Sequence, residues 1–140
     1  NTSSIDSTKF FLNKIGETVD NFDLLQPTSP LRTKRDIVNF HKFINNYNFK
    51  SAVSISKLHN SSSSKYVLKN DFSVRKLNQT DSKKNIDIFF LNGSLYYNEI
   101  SSFLKYGKFI FKYTKGFKMS KKNSIDIDTY KDLELALKFK

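Results

Sequence analysis

The chain has 140 residues, of which 38% are hydrophobic, and it carries a formal net charge of +11. This length suits one domain with a buried core, and the absence of cysteine excludes disulfides and thiolate metal sites. No apolar run approaches the roughly 18 residues of a membrane helix, and no signal-peptide pattern opens the chain, so we expect a soluble cytoplasmic protein without a membrane partner.

The net charge has two interpretations. A strongly basic chain fits a polyanionic partner such as a nucleic acid, a nucleotide or a membrane surface. An AT-rich coding sequence also favours Lys, Asn, Phe and Ile codons, and it would produce the same composition without any such partner. The charge by itself therefore does not predict what the protein binds.

Hydrophobic periodicity in the first half of the chain predicts helices that alternate with strands. Ser7 is a suitable N-cap for a helix over residues 8–19, and Thr33 is one for a second helix over residues 34–47. Strands are predicted at residues 22–25 and 51–56.

The second half predicts shorter elements of both kinds. Asn98 is expected to cap a short helix that ends near residue 106, and Thr129 with Asp132 forms a capping-box pattern for a last helix. Strands are predicted at residues 66–68, 72–74, 86–90, 93–97, 109–113 and 117–119. Strands alternating with helices indicate the α/β class.

Residues 24–32 (LLQPTSPLR) have the pattern of an apolar strand that runs into a polar loop. The two prolines lack a backbone N–H, so the strand has to end at them. At its carboxyl end Gln26 offers an amide, and Thr28 and Ser29 offer hydroxyls. Ligands of open α/β sheets bind at the carboxyl ends of strands. The alternative interpretation is an ordinary polar loop.

Residues 124–129 (SIDIDT) alternate apolar and acidic side chains. An extended backbone puts Asp126 and Asp128 on one face. Two adjacent carboxylates repel each other unless a cation lies between them, so we expect a hard metal ion with oxygen ligands. Alternatively, Asp128 caps the last helix and Asp126 is a surface carboxylate.

Asn92 and Gly93 form a dipeptide that is typical of a tight turn. In a functional interpretation, Asn92 presents its amide to a ligand while Gly93 lets the backbone approach it closely. Tyr96 is then either a core residue or a pocket wall. The local sequence does not decide between these interpretations.

Two further groups of residues have weaker patterns. The histidines, His41 and His59, lack a partner pattern for metal or triad chemistry, and we expect structural or surface roles. Five lysines spaced by three or four residues form either a basic face for phosphates or a solvated surface, and the intervening glycines and aromatics favour the surface. These lysines are Lys105, Lys108, Lys112, Lys115 and Lys118.

Together, residues 24–32, 92–96 (NGSLY), 119–120 (MS) and 124–129 closely resemble the acylneuraminate cytidylyltransferases. These are the CMP-sialic acid synthetases and their relatives for other nine-carbon 2-keto acids. Order and spacing match over nearly the whole chain. The resemblance implies a three-layer α/β, Rossmann-like nucleotidyltransferase domain with a mostly parallel sheet. It also implies a homodimer and a small dimerisation insert at about residues 57–89.

The resemblance further implies that CTP and a nonulosonic acid react to give the CMP-sugar and pyrophosphate, with Mg²⁺ offsetting phosphate charge. Asp126 and Asp128 match the family's catalytic, metal-binding pair. Ser4 matches a nucleotide-binding serine, and Lys65 matches a basic residue that is contributed across the dimer. The substrate-binding positions are Gln26, Thr28, Ser29, Arg32, Asn92, Tyr96, Phe109 and Ile110.

The chain departs from the family in two places. Many members carry an Arg, which suits bidentate carboxylate binding, where this chain has Phe90 and Leu91. The acceptor is therefore either a sialic acid or another 2-keto sugar acid, such as a legionaminic, pseudaminic or eight-carbon acid. The family's opening strand and its basic phosphate loop have no match here, so we expect this polypeptide alone to be inactive.

One alternative belongs to another class of protein. A non-catalytic, basic nucleic-acid-binding module has only the +11 charge in its favour. The chain lacks an RNP-like aromatic motif and a basic recognition helix. We therefore expect no nucleic-acid partner.

Overall fold

The computed structural model of the protein describes residues 3–15, 19–57, 64–79, 81 and 86–139. Parts of the predicted insert and His59 lie outside these residues. No helix in the described ranges is long and apolar enough to span a membrane. The elements are α1 (Ser4–Ile15), β1 (Asn21–Leu24), α2 (Lys34–Tyr47), β2 (Ser51–Ser56), β3 (Lys65–Leu68), β4 (Val74–Lys76), β5 (Ile88–Glu99), α3 (Ile100–Tyr106), β6 (Lys115–Lys118) and α4 (Tyr130–Leu137).

The sheet is built around β5, the long central strand. β1, β2 and β3 all pair with β5 antiparallel, β4 pairs antiparallel with β3, and β6 pairs parallel with β2. The α/β class is confirmed, but most pairings are antiparallel and not parallel as predicted, because β5 runs against every strand beside it. β1, β2, β3 and β6 still point the same way, so the loops that follow β1 and β6 leave strands of one direction.

The Asn-Gly dipeptide lies in a bulge of β5 and not in a turn. Val53 of β2 lies opposite Tyr96, whereas Ile55 lies opposite Leu91. Residues 92–95 therefore bulge out of the ladder, and the glycine of the pair has φ +70°. The two strands predicted on either side of this point are one continuous strand.

Each face of the sheet has its own apolar cluster. Along β2 the side chains alternate between the faces, so Ala52 and Val53 belong to different clusters. The α2 face buries Phe40, Ile44, Ala52, Leu95 and Met119. The opposite face buries Val53, Ile55, Tyr66, Val74, Phe89 and Tyr96. Phe103 of α3 stacks at 5.0 Å on Phe109, which packs against this second cluster, so the sheet has helices on both faces.

The predicted N-cap at Thr33 and the predicted capping box at Thr129 are confirmed, and Thr33 also forms a full capping box. Thr33 Oγ1 accepts a hydrogen bond from Asp36 N at 3.2 Å, and Asp36 Oδ2 accepts one from Thr33 N at 2.8 Å. Thr129 and Asp132 form the same pair at the start of α4. Each box bonds N–H groups that the first helical turn leaves free. The predicted ranges of α2 and β2 are confirmed residue for residue.

Several local predictions were wrong, each because of a contact made elsewhere in the chain. α1 begins before Ser7, since Asp6 N donates to Ser3 Oγ at 3.1 Å and so places the cap there. Residues 16–18 of this predicted helix lie outside the described part of the chain. Asn98 lies within β5, paired with Phe22, and Glu99 is the residue that precedes α3.

Two predicted strands, at residues 72–74 and 109–113, also differ from the structure. Phe72 has φ +63°, which a strand does not allow, so β4 begins only at Val74. Residues 109–113 form no strand. Thr114 Oγ1 accepts a hydrogen bond from Phe111 N at 2.7 Å and holds this segment in a turn.

Candidate substrate and metal site

Two predicted site residues, Gln26 and Asp126, lie directly against Gly93. A methyl group built on Gly93 would lie 2.6 Å from Gln26 Oε1 and 2.7 Å from Asp126 Oδ2. Because both distances are shorter than real side-chain contacts, the two oxygens occupy the space that any other residue would need. The loop after β1, the bulge of β5 and the segment after β6 therefore meet at one point.

Arg32 joins the loop after β1 to the bulge. Its Nη1 donates to the carbonyl oxygen of Gln26 at 3.0 Å and to that of Ser94 at 2.8 Å. Within the loop, Ser29 N donates to Gln26 O at 3.4 Å and Arg32 N donates to Ser29 O at 3.3 Å. These bonds fix the backbone that carries the Gln26 amide. The structure thus gives Arg32 a positioning role, and its predicted contact with substrate stays a prediction.

Asp126 is tied to the same loop through Thr28. Ile127 N donates to Thr28 O at 2.9 Å, and the Thr28 hydroxyl forms a hydrogen bond with the Asp126 carboxylate. Burial raises the pKa of Asp126, the Thr28 hydrogen bond lowers it, and the charge of Asp128 raises it. Asp126 is thus a partly desolvated carboxylate that gains from a positive neighbour.

Three buried polar atoms in these loops have no hydrogen-bond partner among the described residues. They are Ser29 Oγ, Ser94 Oγ and Asp126 Oδ1. Most buried polar atoms in folded proteins are hydrogen-bonded, so three exceptions in the loops that meet at Gly93 need an explanation. A buried water, an ion or a ligand would each satisfy them.

Asn92 has a different position from the one the sequence suggested. Its side chain is only 1% exposed, and its Oδ1 accepts from the Ser54 hydroxyl and from Ser94 N. Its Nδ2 donates to Ser124 Oγ at 2.8 Å and to Met119 Sδ at 3.5 Å. Both hydrogens and both lone pairs are used within the protein, so Asn92 holds the bulge of β5 against the turn that precedes Asp126.

Tyr96, Phe109 and Ile110 lie together on an apolar wall. The Tyr96 and Phe109 ring centroids are 5.2 Å apart, and Ile110 packs against the same cluster. Burial, together with the charge of Asp126, raises the pKa of Tyr96 to about 12. Tyr96 pairs with Leu24, two residues before Gln26, so this wall borders the polar site.

Three other predicted residues lie at the surface. Asp128 is exposed, yet its charge acts on Asp126, and its backbone N donates to Asp132 Oδ2 at 3.3 Å. Ser4 is exposed in the first turn of α1, and none of the hydrogen bonds found between the three loops involves it. Lys65 is exposed on β3. The nucleotide-binding and dimer-related roles of the last two stay predictions.

The oxygen donors at this point fit a hard divalent cation. Gln26 Oε1 and the Asp126 carboxylate converge, Asp126 Oδ1 is unpartnered, and Asp128 adds a nearby charge. No group of three or more His, Cys, Asp or Glu residues in the described ranges could hold a metal ion. Mg²⁺ typically binds one or two carboxylates and takes its other ligands from water and substrate phosphates, so this donor set suits it.

Sequence patterns did not identify Ser94, Ser54 and Ser124 as site residues. The only local indication for Ser94 is that it directly follows the glycine of the Asn-Gly pair. Ser54 and Ser124 are brought to Asn92 from 38 and 32 residues away. Nothing in the local sequence of either serine indicates that contact.

The sheet with helices on both faces, and a polar site where loops leave strands of one direction, define a three-layer α/β fold with a mixed sheet. A similar solved structure is that of 4-diphosphocytidyl-2C-methyl-D-erythritol synthase from Anaerococcus prevotii DSM 20548. The TM-score is 0.58 with 13% sequence identity, over 99% of this chain and 67% of that one. At this identity the likeness establishes the fold alone. No protein-family model and no curated protein sequence matches the chain.

Proposed function

We propose that the protein acts in the transfer of CMP from CTP to a nonulosonic acid, with release of pyrophosphate. The observation that carries this proposal is the meeting of the Gln26 amide oxygen and the Asp126 carboxylate over Gly93. The three loops that meet there are the segments whose sequences resemble the acylneuraminate cytidylyltransferases. Their convergence is what a shared site requires.

Each residue has a role that its chemistry allows. Gln26 Oε1 accepts a hydrogen bond from a sugar hydroxyl, while the apolar wall of Tyr96, Phe109 and Ile110 packs against the N-acyl group. Asp126 and Asp128 hold Mg²⁺, which when bound offsets the negative charge of the phosphates. The anomeric hydroxyl oxygen of the sugar attacks the α-phosphate and releases its proton to solvent, while the bond from that phosphate to pyrophosphate breaks and pyrophosphate leaves.

The similar solved structure supports the class of reaction and not the acceptor. By its name, that synthase makes a diphosphocytidyl compound of an erythritol, which is not a sugar acid. One fold thus serves cytidylyl chemistry on at least one other acceptor. For this chain, Phe90 and Leu91 stand where many cytidylyltransferases of sugar acids carry an Arg. The panel of acceptors therefore includes legionaminic, pseudaminic and eight-carbon 2-keto acids.

Calorimetric titration with CMP-sugars tests the proposal. The chain is titrated with CMP-N-acetylneuraminic acid and its analogues, with Mg²⁺ or with EDTA. We expect binding that depends on Mg²⁺ and that Asp126→Asn weakens about 10- to 100-fold, because one metal ligand loses its charge. Asp20→Asn is the matched control, since its carboxylate is exposed and outside the site.

Two outcomes contradict the proposal. One is that no CMP-sugar of the panel binds. The other is binding that neither EDTA nor Asp126→Asn changes, which would separate the ligand from this carboxylate. A titration with CTP then measures whether residues 1–140 bind the free nucleotide as well.

The homodimer is a separate part of the proposal. We expect a solution mass of about twice the 16.3 kDa of the chain, with the interface in the insert at about residues 57–89. Light scattering measures this mass directly. A mass of one chain at all concentrations would contradict it.

A further inference from the structure

A basic groove lies between the β3–β4 hairpin and the segment before β6. Its volume is about 530 Å³, which is the size of a small-molecule site. Lysines from both sides line it, together with one arginine. These cationic residues are Lys69, Arg75, Lys76, Lys108 and Lys112.

The arginine is neutralised, whereas the lysines are not. Arg75 Nη1 and Nη2 donate to the two carboxylate oxygens of Asp81 at 2.7 and 2.9 Å. On the same hairpin, the Asp71 carboxylate is bonded to Lys115 Nζ at 3.1 Å. Within the described ranges, the salt bridges include none of the four groove lysines. The groove therefore keeps several positive charges that no carboxylate of the described residues pairs with.

The fold separates the five regularly spaced lysines of the sequence into two groups. Lys105, Lys115 and Lys118 lie over the rings of Tyr106, Phe49 and Phe89, respectively. Lys108 and Lys112 instead join the two hairpin lysines around the groove. Four of the five lysines are exposed, as the favoured interpretation of a solvated surface requires, and a phosphate-binding role for Lys108 and Lys112 stays a prediction.

The walls of the groove favour a small ligand over a nucleic-acid strand. Tyr66 and Phe111 line it, but each is only 6% exposed, so neither offers a ring face on which bases could stack. What remains for a ligand is a concave surface lined by exposed ammonium groups. Lysine binds phosphate as a point charge, and several lysines suit a ligand whose charges are close together.

We propose that this groove binds a ligand with two or three linked phosphate groups, such as pyrophosphate or the triphosphate of a free nucleotide. The groove is not lined by Gln26, Gly93 or Asp126. Ile110 also lines the groove and belongs to the apolar wall of the proposed function, and the hairpin lies within the proposed dimerisation insert, so the groove adjoins both. The inference rests instead on Lys69, Lys108 and Lys112, to which the proposed function gives no role. It assigns a role to positive charge that the candidate site does not use.

The test is titration of pyrophosphate into the chain in EDTA, which removes divalent ions from the carboxylate site. The groove variant is Lys69→Ala/Lys108→Ala/Lys112→Ala. The control is Lys42→Ala/Lys121→Ala/Lys131→Ala, which removes the same charge from exposed positions outside the groove. We expect the groove variant to weaken binding about tenfold or more, and the control by about twofold or less, because surface charges beyond a Debye length are screened. Asp20→Asn, at an exposed position that does not line the groove, should leave pyrophosphate binding unchanged.

Further titrations distinguish the sources of phosphate. Equal affinity for pyrophosphate and CTP would support recognition of the phosphates alone, and tighter binding of CTP would support a nucleotide as the ligand. Absence of pyrophosphate binding, or equal weakening in both triple variants, overturns the proposal. Groove-dependent binding of a single-stranded oligonucleotide without binding of pyrophosphate also overturns it. Circular dichroism of each variant checks that it is folded, and Lys76→Ala/Lys112→Ala is the replacement if the triple variant is not.

Discussion

Gly93→Ala is the substitution that most directly tests the geometry of the candidate site. Gly93 has φ +70°, a conformation that costs alanine about 1 kcal/mol relative to glycine. The added methyl group also meets Gln26 Oε1 at 2.6 Å and Asp126 Oδ2 at 2.7 Å. Because both atoms have to move, overpacking adds about 1–2 kcal/mol. We expect a total loss of about 2–3 kcal/mol in the free energy of unfolding.

Urea unfolding followed by circular dichroism measures this loss. A slope of about 1.5–2 kcal/mol per molar urea converts it to a midpoint that falls by about 1–2 M. The same displacement should weaken ligand binding at the site, because the two oxygens are the proposed ligand contacts. Both effects originate from one methyl group.

Gly107→Ala is the matched control. Gly107 has φ +62° at the C-cap of α3, so the backbone strain is the same. Its added methyl group meets only Lys9 Nζ at 3.0 Å, the far end of a flexible side chain that moves aside easily. We expect a loss of about 1 kcal/mol and unchanged ligand binding. Equal midpoints for the two variants would refute the argument that Gln26 and Asp126 occupy the space above Gly93.

Three further predictions concern the surroundings of the site. Asn92→Ala removes a buried side chain that makes four hydrogen bonds, so we expect urea unfolding to show a loss of about 3 kcal/mol or more in the free energy of unfolding. The control is Asn39→Ala at an exposed position, which should change this free energy by less than about 0.5 kcal/mol. Thr33→Ala removes a capping box and should cost about 1 kcal/mol by the same assay, and no loss would contradict the cap geometry. The raised pKa of Tyr96, about 12 against about 10 unfolded, means that its phenol contributes stability below about pH 10 that is lost as the pH rises through 12. In metal-free buffer, Tyr96→Phe should therefore lose less stability than the wild type between about pH 9 and pH 11, and parallel losses would contradict the burial of this phenol.

The elements that the sequence determined are those fixed by neighbouring residues. α2 has an N-cap threonine, an aspartate three residues later and an apolar stripe, so its bounds follow from local contacts alone. The short run of β2, with Val53 and Ile55, and the box that starts α4 are similar cases. The local patterns at Gln26 and Asp126 each allowed an ordinary interpretation as well, and the family resemblance predicted them as site residues; the structure brings the two together at Gly93, and their roles stay predictions.

Tertiary structure decided the rest, because the deciding contacts join residues far apart in the chain. The Asn-Gly pair has the local signature of a turn. However, β5 pairs with neighbouring strands both before and after this dipeptide, so the strand continues and the dipeptide forms a bulge within it. The amide of Asn92 faces the interior because Ser54 and Ser124 bond it there. Whether a side chain points toward a ligand or into the fold depends on which distant partners satisfy it, and the local sequence does not contain that information.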